Sequence, residues 1–137
     1  MKSAATPVKR TTRQKSGIME VLCEAPGPMS VLEIHAAAQK RVPGLGIATV
    51  YRLIASFVRQ GSVRTFRMPS GDIRYENVEG RPEHHHHFFC RVCQRAFDLT
   101  IPCPVEHLVE LPRGFRVESH EFTLMGLCEL CGGASST

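Results

Sequence analysis

Gly46-Ile47-Ala48-Thr49-Val50-Tyr51-Arg52-Leu53-Ile54-Ala55-Ser56-Phe57-Val58-Arg59-Gln60-Gly61 decides how the front half of this chain folds. Ile47, Val50, Ile54, Phe57 and Val58 recur at helical spacing and mark one apolar face. The opposite face carries Ala48, Tyr51, Arg52, Ala55 and Arg59, and Gly61 is placed to stop the helix, because glycine accepts the left-handed backbone of a C-terminal cap. Small residues beside Tyr51 and Arg52 let such a helix approach base edges, with the Tyr51 ring available to a thymine methyl and Arg52 to phosphate or guanine. The blander alternative packs Tyr51 against a neighbouring helix and leaves Arg52 solvated. The flanking sequence decides between them.

Upstream, Thr12 to Ala25 carries Ile18, Val21, Leu22 and Ala25 at helical spacing and stops at Pro26-Gly27-Pro28. Cys23, near that apolar face, is expected as a buried small hydrophobe. Ser30 followed by Glu33 is a capping-box pattern, and Leu32, Ile34, Ala37 and Ala38 give a second helix an apolar side before Pro43-Gly44. Downstream, Val63-Arg64-Thr65-Phe66-Arg67 and Ile73-Arg74-Tyr75-Glu76 flank Pro69-Ser70-Gly71-Asp72, a hairpin with a turn of several residues. Three helices and a basic hairpin describe a winged helix-turn-helix. Charge agrees: residues 1–78 hold twelve Lys/Arg against five Asp/Glu, net +7, whereas residues 79–137 hold five against eight, net −3. A basic front half fits a polyanion, and the back half does not.

The back half holds a different chemistry. Cys90-Arg-Val-Cys93 and Cys128-Glu-Leu-Cys131 stand with 34 residues between them, and His84-His85-His86-His87 leads into the first hook. Two C-x-x-C hooks supply the four soft thiolates of a tetrahedral zinc site. The interval exceeds the ~15 to 20 residues of a simple zinc ribbon, leaving room for a strand, a helix and two further strands. Alternation along a strand puts His85 and His87 on one face and His84 and His86 on the other, so the run can feed two sites. Four-thiolate iron or a thiol-redox switch would use the same cysteines. An enzyme of the zinc deaminase kind would need H-x-E followed by P-C-x-x-C; Phe89 precedes Cys90 and no H-x-E stands upstream, so no enzyme is expected. No apolar stretch of membrane or signal-peptide length occurs, which favours the cytoplasm, no membrane partner, and metal rather than disulfides for the paired cysteines. Gly80, Arg81 and Pro82 mark a linker, giving expected domains 1–78 and 84–137 with a hinge at 79–83.

Taken together, Gly46-Ile-Ala-Thr-Val-Tyr51-Arg52, the His84–His87 run followed by Phe-Phe-Cys90-x-x-Cys93, and Cys128-x-x-Cys131 resemble the ferric uptake regulator family over nearly the whole chain, and zinc-sensing members most. The resemblance implies an α+β protein: an N-terminal winged helix-turn-helix DNA-binding domain, then a small α/β dimerisation domain with structural zinc. It implies a cytoplasmic, homodimeric, metal-sensing repressor on a palindromic, A·T-rich double-stranded DNA operator. Structural zinc falls on Cys90, Cys93, Cys128 and Cys131. A hinge site joins His85 and His87 to Glu76, with Asp98 as a further oxygen ligand. A second site joins His84 and His86 to His120, with a ligand from Cys103 or Glu106. The residues assigned to DNA are Arg13, Ala48, Thr49, Tyr51, Arg52, Arg64 and Arg67.

Two departures remove iron-type features: His86 stands where many iron-type members have Asp, and Pro28-Met29 where they have a His near the start of helix two. The regulatory ligands are imidazole-rich and oxygen-poor, which suits Zn2+ above Fe2+ or Mn2+. Iron, manganese, nickel or peroxide sensing are the alternatives.

Overall fold

The computed structural model describes residues 5–82, 84–103 and 105–133, without the side chains of 5–9, 106 and 107. The chain divides into two compact units, Met1–Arg81 and Pro82–Thr137. The first therefore runs past Val78 to include Gly80 and Arg81, which composition alone assigned to a hinge.

In the first unit, α1 (Ala5–Glu24), α2 (Val31–Gln39) and α3 (Ile47–Arg59) precede a hairpin of β1 (Val63–Arg67) and β2 (Ile73–Asn77). The α1 helix begins well before Thr12, where the apolar periodicity starts. Pro7 does not prevent this, because a proline in the first turn lacks only a donor that would have no partner there. Mid-helix Gly17 allows close packing: a Cβ there would lie 2.8 Å from Val42 Cγ2. The α2 helix starts on the expected capping box, Ser30 Oγ accepting from the Glu33 N–H at 3.2 Å and Glu33 Oε1 accepting from the Ser30 N–H at 2.9 Å. The α3 helix ends as expected, with Gly61 at φ +80°.

The three helices close over Ile18, Leu22, Ile34, Ala38, Val50, Leu53, Ile54 and Phe57. Each such large side chain contributes about 1.5 to 3 kcal/mol on burial, so this unit has a hydrophobic core of its own. Cys23 is exposed rather than buried. It lies beyond the Ile18–Leu22 stripe, and its sulfur receives the Asn77 side-chain N–H at 3.4 Å.

The wing is antiparallel, with Val63 opposite Asn77 and Arg67 opposite Ile73. Met29 and Tyr75 exchange backbone hydrogen bonds of 2.9 and 2.8 Å, tying the hairpin to the segment before α2. Glu33 then serves twice: besides capping Ser30, its Oε1 accepts from Arg74 Nη1 at 2.6 Å, while Arg74 Nε donates to Asp72 at 3.0 Å. Arg74 is buried, and these carboxylates flank its charge from the helix start and the wing turn.

The second unit comprises β3 (His86–Cys90), β4 (Ala96–Leu99), α4 (Val105–Leu108), β5 (Thr123–Gly126) and α5 (Glu129–Gly133). Its sheet has the order β4-β3-β5, with β3 antiparallel to β4 and parallel to β5. Between the hooks one strand fewer forms than expected among the described residues. Phe115 to Ser119 alternates apolar and polar up to Glu118, yet all of it is exposed, because the two sides of β3 are already taken and, among the described residues, none covers Phe115 and Val117. Buried apolar residues described here are Phe89, Cys90 and Ala96. So small a core cannot offset an ordering cost of about 1 to 2 kcal/mol per residue, and bound metal and a covering partner must supply the difference.

Ser30→Ala removes one half of the capping box and loosens the carboxylate that also holds Arg74. It is expected to lower the stability of the first unit by about 1 kcal/mol, read as a shifted urea midpoint of its transition; an unchanged midpoint would show that the cap is energetically idle.

Candidate metal centres and nucleic-acid interface

The first unit presents α3 outward. Ala48, Tyr51, Arg52, Ala55 and Arg59 are all exposed, Tyr51 at 55%, and Thr49 is half-buried. Arg13 on α1 is exposed, as is Arg67 on the wing, whose Nη1 reaches Gly71 O at 3.2 Å. Arg64 differs from the expectation of a solvent-facing phosphate contact. It stands opposite Glu76 in the hairpin register, which puts both side chains on one face, and its Nε and Nη2 are buried. The wing's outward cation is therefore Arg67.

Strand β3 organises the second unit's ligands. Parallel pairing sets Cys90 opposite Gly126, so Cys128 arrives beside the first hook. The hook is a tight turn: the Gln94 N–H donates to Cys90 O at 2.8 Å, the Cys90 N–H to Arg95 O at 3.0 Å, and Gln94 takes φ 60°. The four sulfurs of Cys90, Cys93, Cys128 and Cys131 lie within 4.8 Å of one another, Cys93 and Cys128 at 3.9 Å. Tetrahedral zinc with bonds of about 2.3 Å needs sulfurs about 3.8 Å apart, so the set fits structural zinc. Backbone N–H groups of Cys128 and Cys93 pull the Cys90 thiol down to about 6. Cys131 is pushed up to about 12, first by its hydrogen bond with Cys128 and then by burial. Four thiolates cannot coexist here without a cation; one bound ion would let all four ionise.

A second group gathers on one side of β3. Asp98, opposite His87 in the β3–β4 register, places Oδ1 3.5 Å from His87 Nε2 and 3.6 Å from His85 Nε2. Donors bonded at about 2.1 Å to one tetrahedral ion stand about 3.4 Å apart, so these three atoms suit a shared ion. His85 Nδ1 lies 2.9 Å from Pro82 O, which places the ring hydrogen there and turns Nε2 to the site. Glu76, the fourth expected donor, belongs to the first unit. It is 1% exposed and pairs with Arg81 at 3.0 Å.

The other side collects His84, His86, His120 and Cys103, their donor atoms also within 4.8 Å. Cys103 Sγ is 2.9 Å from His120 Nε2 and 3.4 Å from His86 Nε2. The Glu106 side chain, the alternative to Cys103, lies outside the described residues. Phe122 stacks on His86 with ring centroids 3.7 Å apart, a support that no sequence spacing announced. Burial first, then the neighbouring His84 and His120, hold His86 below the ordinary imidazole range, in the neutral form a metal ligand needs.

Sequence reasoning also missed Arg74 as a buried anchor and Arg81 as a half-buried one. A cation within a strand or linker reads as solvated unless distant partners are known, here Glu33 for Arg74 and the Leu22 and Ala25 carbonyls for Arg81.

A winged helix joined to a unit that gathers four cysteines and two groups of imidazole donors able to hold metal has the architecture of a metal-responsive transcription regulator. The chain belongs to the ferric uptake regulator family, whose sequence profile matches residues 8–125. It is 30% identical over 130 residues to a zinc uptake regulation protein of Mycobacterium tuberculosis, covering 89% of this chain and 94% of that one. It is 27% identical over 128 residues to a ferric uptake regulation protein of Bacillus subtilis, covering 90% and 86% respectively. Among solved structures it is similar to a zinc-bound manganese uptake regulator, at a TM-score of 0.72 and 28% identity over 84% of this chain and 87% of that one. No helix among the described residues is long and apolar enough to cross a membrane.

Cys131→Ser is expected to lower zinc content by about one ion per chain and to abolish the thermal transition of the second unit, because structural zinc supplies on the order of 10 kcal/mol. A zinc-replete, normally melting variant would show that the four sulfurs do not form the structural site.

Proposed function

We propose that this protein is a zinc-responsive repressor that binds a palindromic, A·T-rich operator as a homodimer. The observation that carries the metal assignment is the donor chemistry: three imidazoles and a thiolate at His84, His86, His120 and Cys103, and two imidazoles beside one carboxylate at His85, His87 and Asp98. Imidazole and thiolate suit zinc over harder ions. The relative named for zinc uptake supports the same choice, and the palindrome and A·T content rest on family resemblance. A second reading, manganese or ferrous iron, is favoured by the Asp98 oxygen and the proposed Glu76 donor.

The dimer is supported by the apolar surface that the second unit leaves open. Leu124 and Met125 on edge strand β5, with Leu108, Val109, Phe115 and Val117, are exposed and call for a cover. Two copies of the winged helix then address two half-sites, and symmetry in the protein requires symmetry in the DNA.

Control is proposed to work by linkage. An ion held by His85, His87 and Asp98 with Glu76 from the wing restrains the two units, and the restrained form fits DNA. Metal thus tightens DNA, and DNA tightens metal by the same factor. A typical coupling of ~1 to 3 kcal/mol makes this a roughly 5-fold to 150-fold change in operator affinity. His85→Ala combined with His87→Ala is expected to remove that change while keeping structural zinc and weak metal-free binding. The measurement is an operator titration at fixed salt with buffered free zinc, manganese and ferrous iron in turn. Zinc should act at the lowest free concentration; a response that persists in the double variant moves the switch to His84, His86, Cys103 and His120.

The recognition face is tested separately. Tyr51→Ala should weaken operator binding more than random-DNA binding, whereas neutralising Arg67 should weaken both alike and flatten the salt slope by about one unit. Equal losses on operator and random DNA for Tyr51→Ala would remove it from base reading.

A further inference from the structure

Glu76 is a buried carboxylate, and a buried charge is tolerated only when it is paired and hydrogen-bonded. Its partner, Arg81, comes from the segment that composition marks as linker. Nη1 of Arg81 stands 3.0 Å from Glu76 Oε1, Nε donates to Asn77 Oδ1 at 2.8 Å, and Nη2 donates to Leu22 O at 2.9 Å and Ala25 O at 3.0 Å. The last two acceptors are carbonyls at the C-terminal end of α1, where the helix dipole favours a cation. Asn77 is held in turn, its side-chain N–H donating to Glu79 O at 2.6 Å. The guanidinium fork is thus spread over a helix end, a strand end and the carboxylate, and at 11% exposure it is little screened by solvent. Opposite Glu76 in the hairpin, Arg64 puts a second cation on the same face.

From this arrangement we propose that Arg81 is a positioning residue that sets the free-metal concentration at which the regulator responds, by sharing the Glu76 carboxylate with the hinge ion. The proposal rests on the reading of Glu76 as a hinge donor. The Arg81 guanidinium, a fixed cation, stands against Glu76 Oε1 at 3.0 Å and offsets its charge. A divalent ion approaching that carboxylate meets a donor whose charge is already compensated and must share it or displace a cation from it. Arg81 therefore weakens the donor and raises the threshold. It also fixes the Glu76 side chain and holds Gly80 and Arg81 on the DNA-binding unit, so the segment free to act as a hinge begins at Pro82.

The test uses the full-length dimer at neutral pH and compares wild type, Arg81→Gln, Arg81→Lys and Glu76→Gln. Zinc affinity is read without DNA by chelator competition, operator affinity against buffered free zinc, and thermal stability with and without zinc. Arg81→Gln leaves Glu76 buried without this cation. The metal-free protein is expected to melt earlier, to gain more from zinc than wild type does, and to respond at a free zinc concentration lower by about fivefold or more, the smaller end of ordinary coupling. Arg81→Lys keeps the charge and should respond close to the wild-type concentration, even though a single ammonium cannot reproduce the fork. A merely structural Arg81 would lower melting temperature and leave zinc affinity unmoved; that result, or a raised threshold in Arg81→Gln, overturns the proposal. A lowered threshold in Arg81→Lys also overturns it, because geometry rather than charge would then be responsible. Failure of the underlying reading looks different: Glu76→Gln would keep the full wild-type zinc response. If Glu76→Gln blunts the response while Arg81→Gln leaves the threshold in place, the hinge reading stands and the role of Arg81 falls.

Discussion

The alternation of side chains along one strand governs the metal chemistry of this protein. Neighbouring residues of a strand point to opposite faces, so His86 and His87 at the start of β3 face opposite ways, and each is joined by a histidine from just before the strand. The four histidines divide into His85 with His87, which meet Asp98 from β4, and His84 with His86, which meet His120 and Cys103. The same strand ends at Cys90, the first thiolate of the third centre. A one-residue slip of β3 against β4 would exchange the two histidine pairs between faces and remove Asp98 from His87. The four-sulfur group, drawn from the end of β3 and from just after β5, fixes instead the β3–β5 register, on the side where His120 meets His84 and His86.

The two units solve their stability problems differently. In the first, three amphipathic helices bury enough aliphatic surface to fold, and polar residues are used for placement: Glu33 caps α2 and receives Arg74, and Arg81 closes the end of α1. In the second, few apolar side chains are buried and several large ones are exposed. Metal and a second copy take the part that a core plays in the first. Loss of zinc is thus expected to be felt locally, in the unit that has little else to hold it.

Much of this architecture was legible in the sequence because its signals are local. The helix breaks at Pro26-Gly27-Pro28 and Gly61, the Ser30–Glu33 box and the two hooks each act within a few residues, and all appear where the sequence places them. What the sequence hid depends on partners far along the chain. Arg64 reads as a surface cation on a basic wing, yet the hairpin register turns it towards Glu76. Arg81 reads as linker, yet Leu22 and Ala25 offer it carbonyls. Cys23 reads as core because it neighbours Leu22, and a shift of one position around the helix exposes it. The segment from Phe115 to Ser119 has strand periodicity but no strand neighbour among the described residues, and periodicity alone cannot provide one.

The parallel pairing of β3 with β5 also bears on how the protein is made. Parallel strands cannot be joined by a tight turn, so the chain must run through β4, α4 and a long exposed segment before β5 returns to β3. During synthesis the winged helix is complete once Arg81 has emerged, and domains fold as units in the order they appear. The histidine run and the first cysteine hook then wait, with open imidazoles and thiols, until Cys128 and Cys131 follow. For that interval the nascent chain is an incomplete chelator tethered to a folded domain, and its second unit closes only after the second hook has emerged.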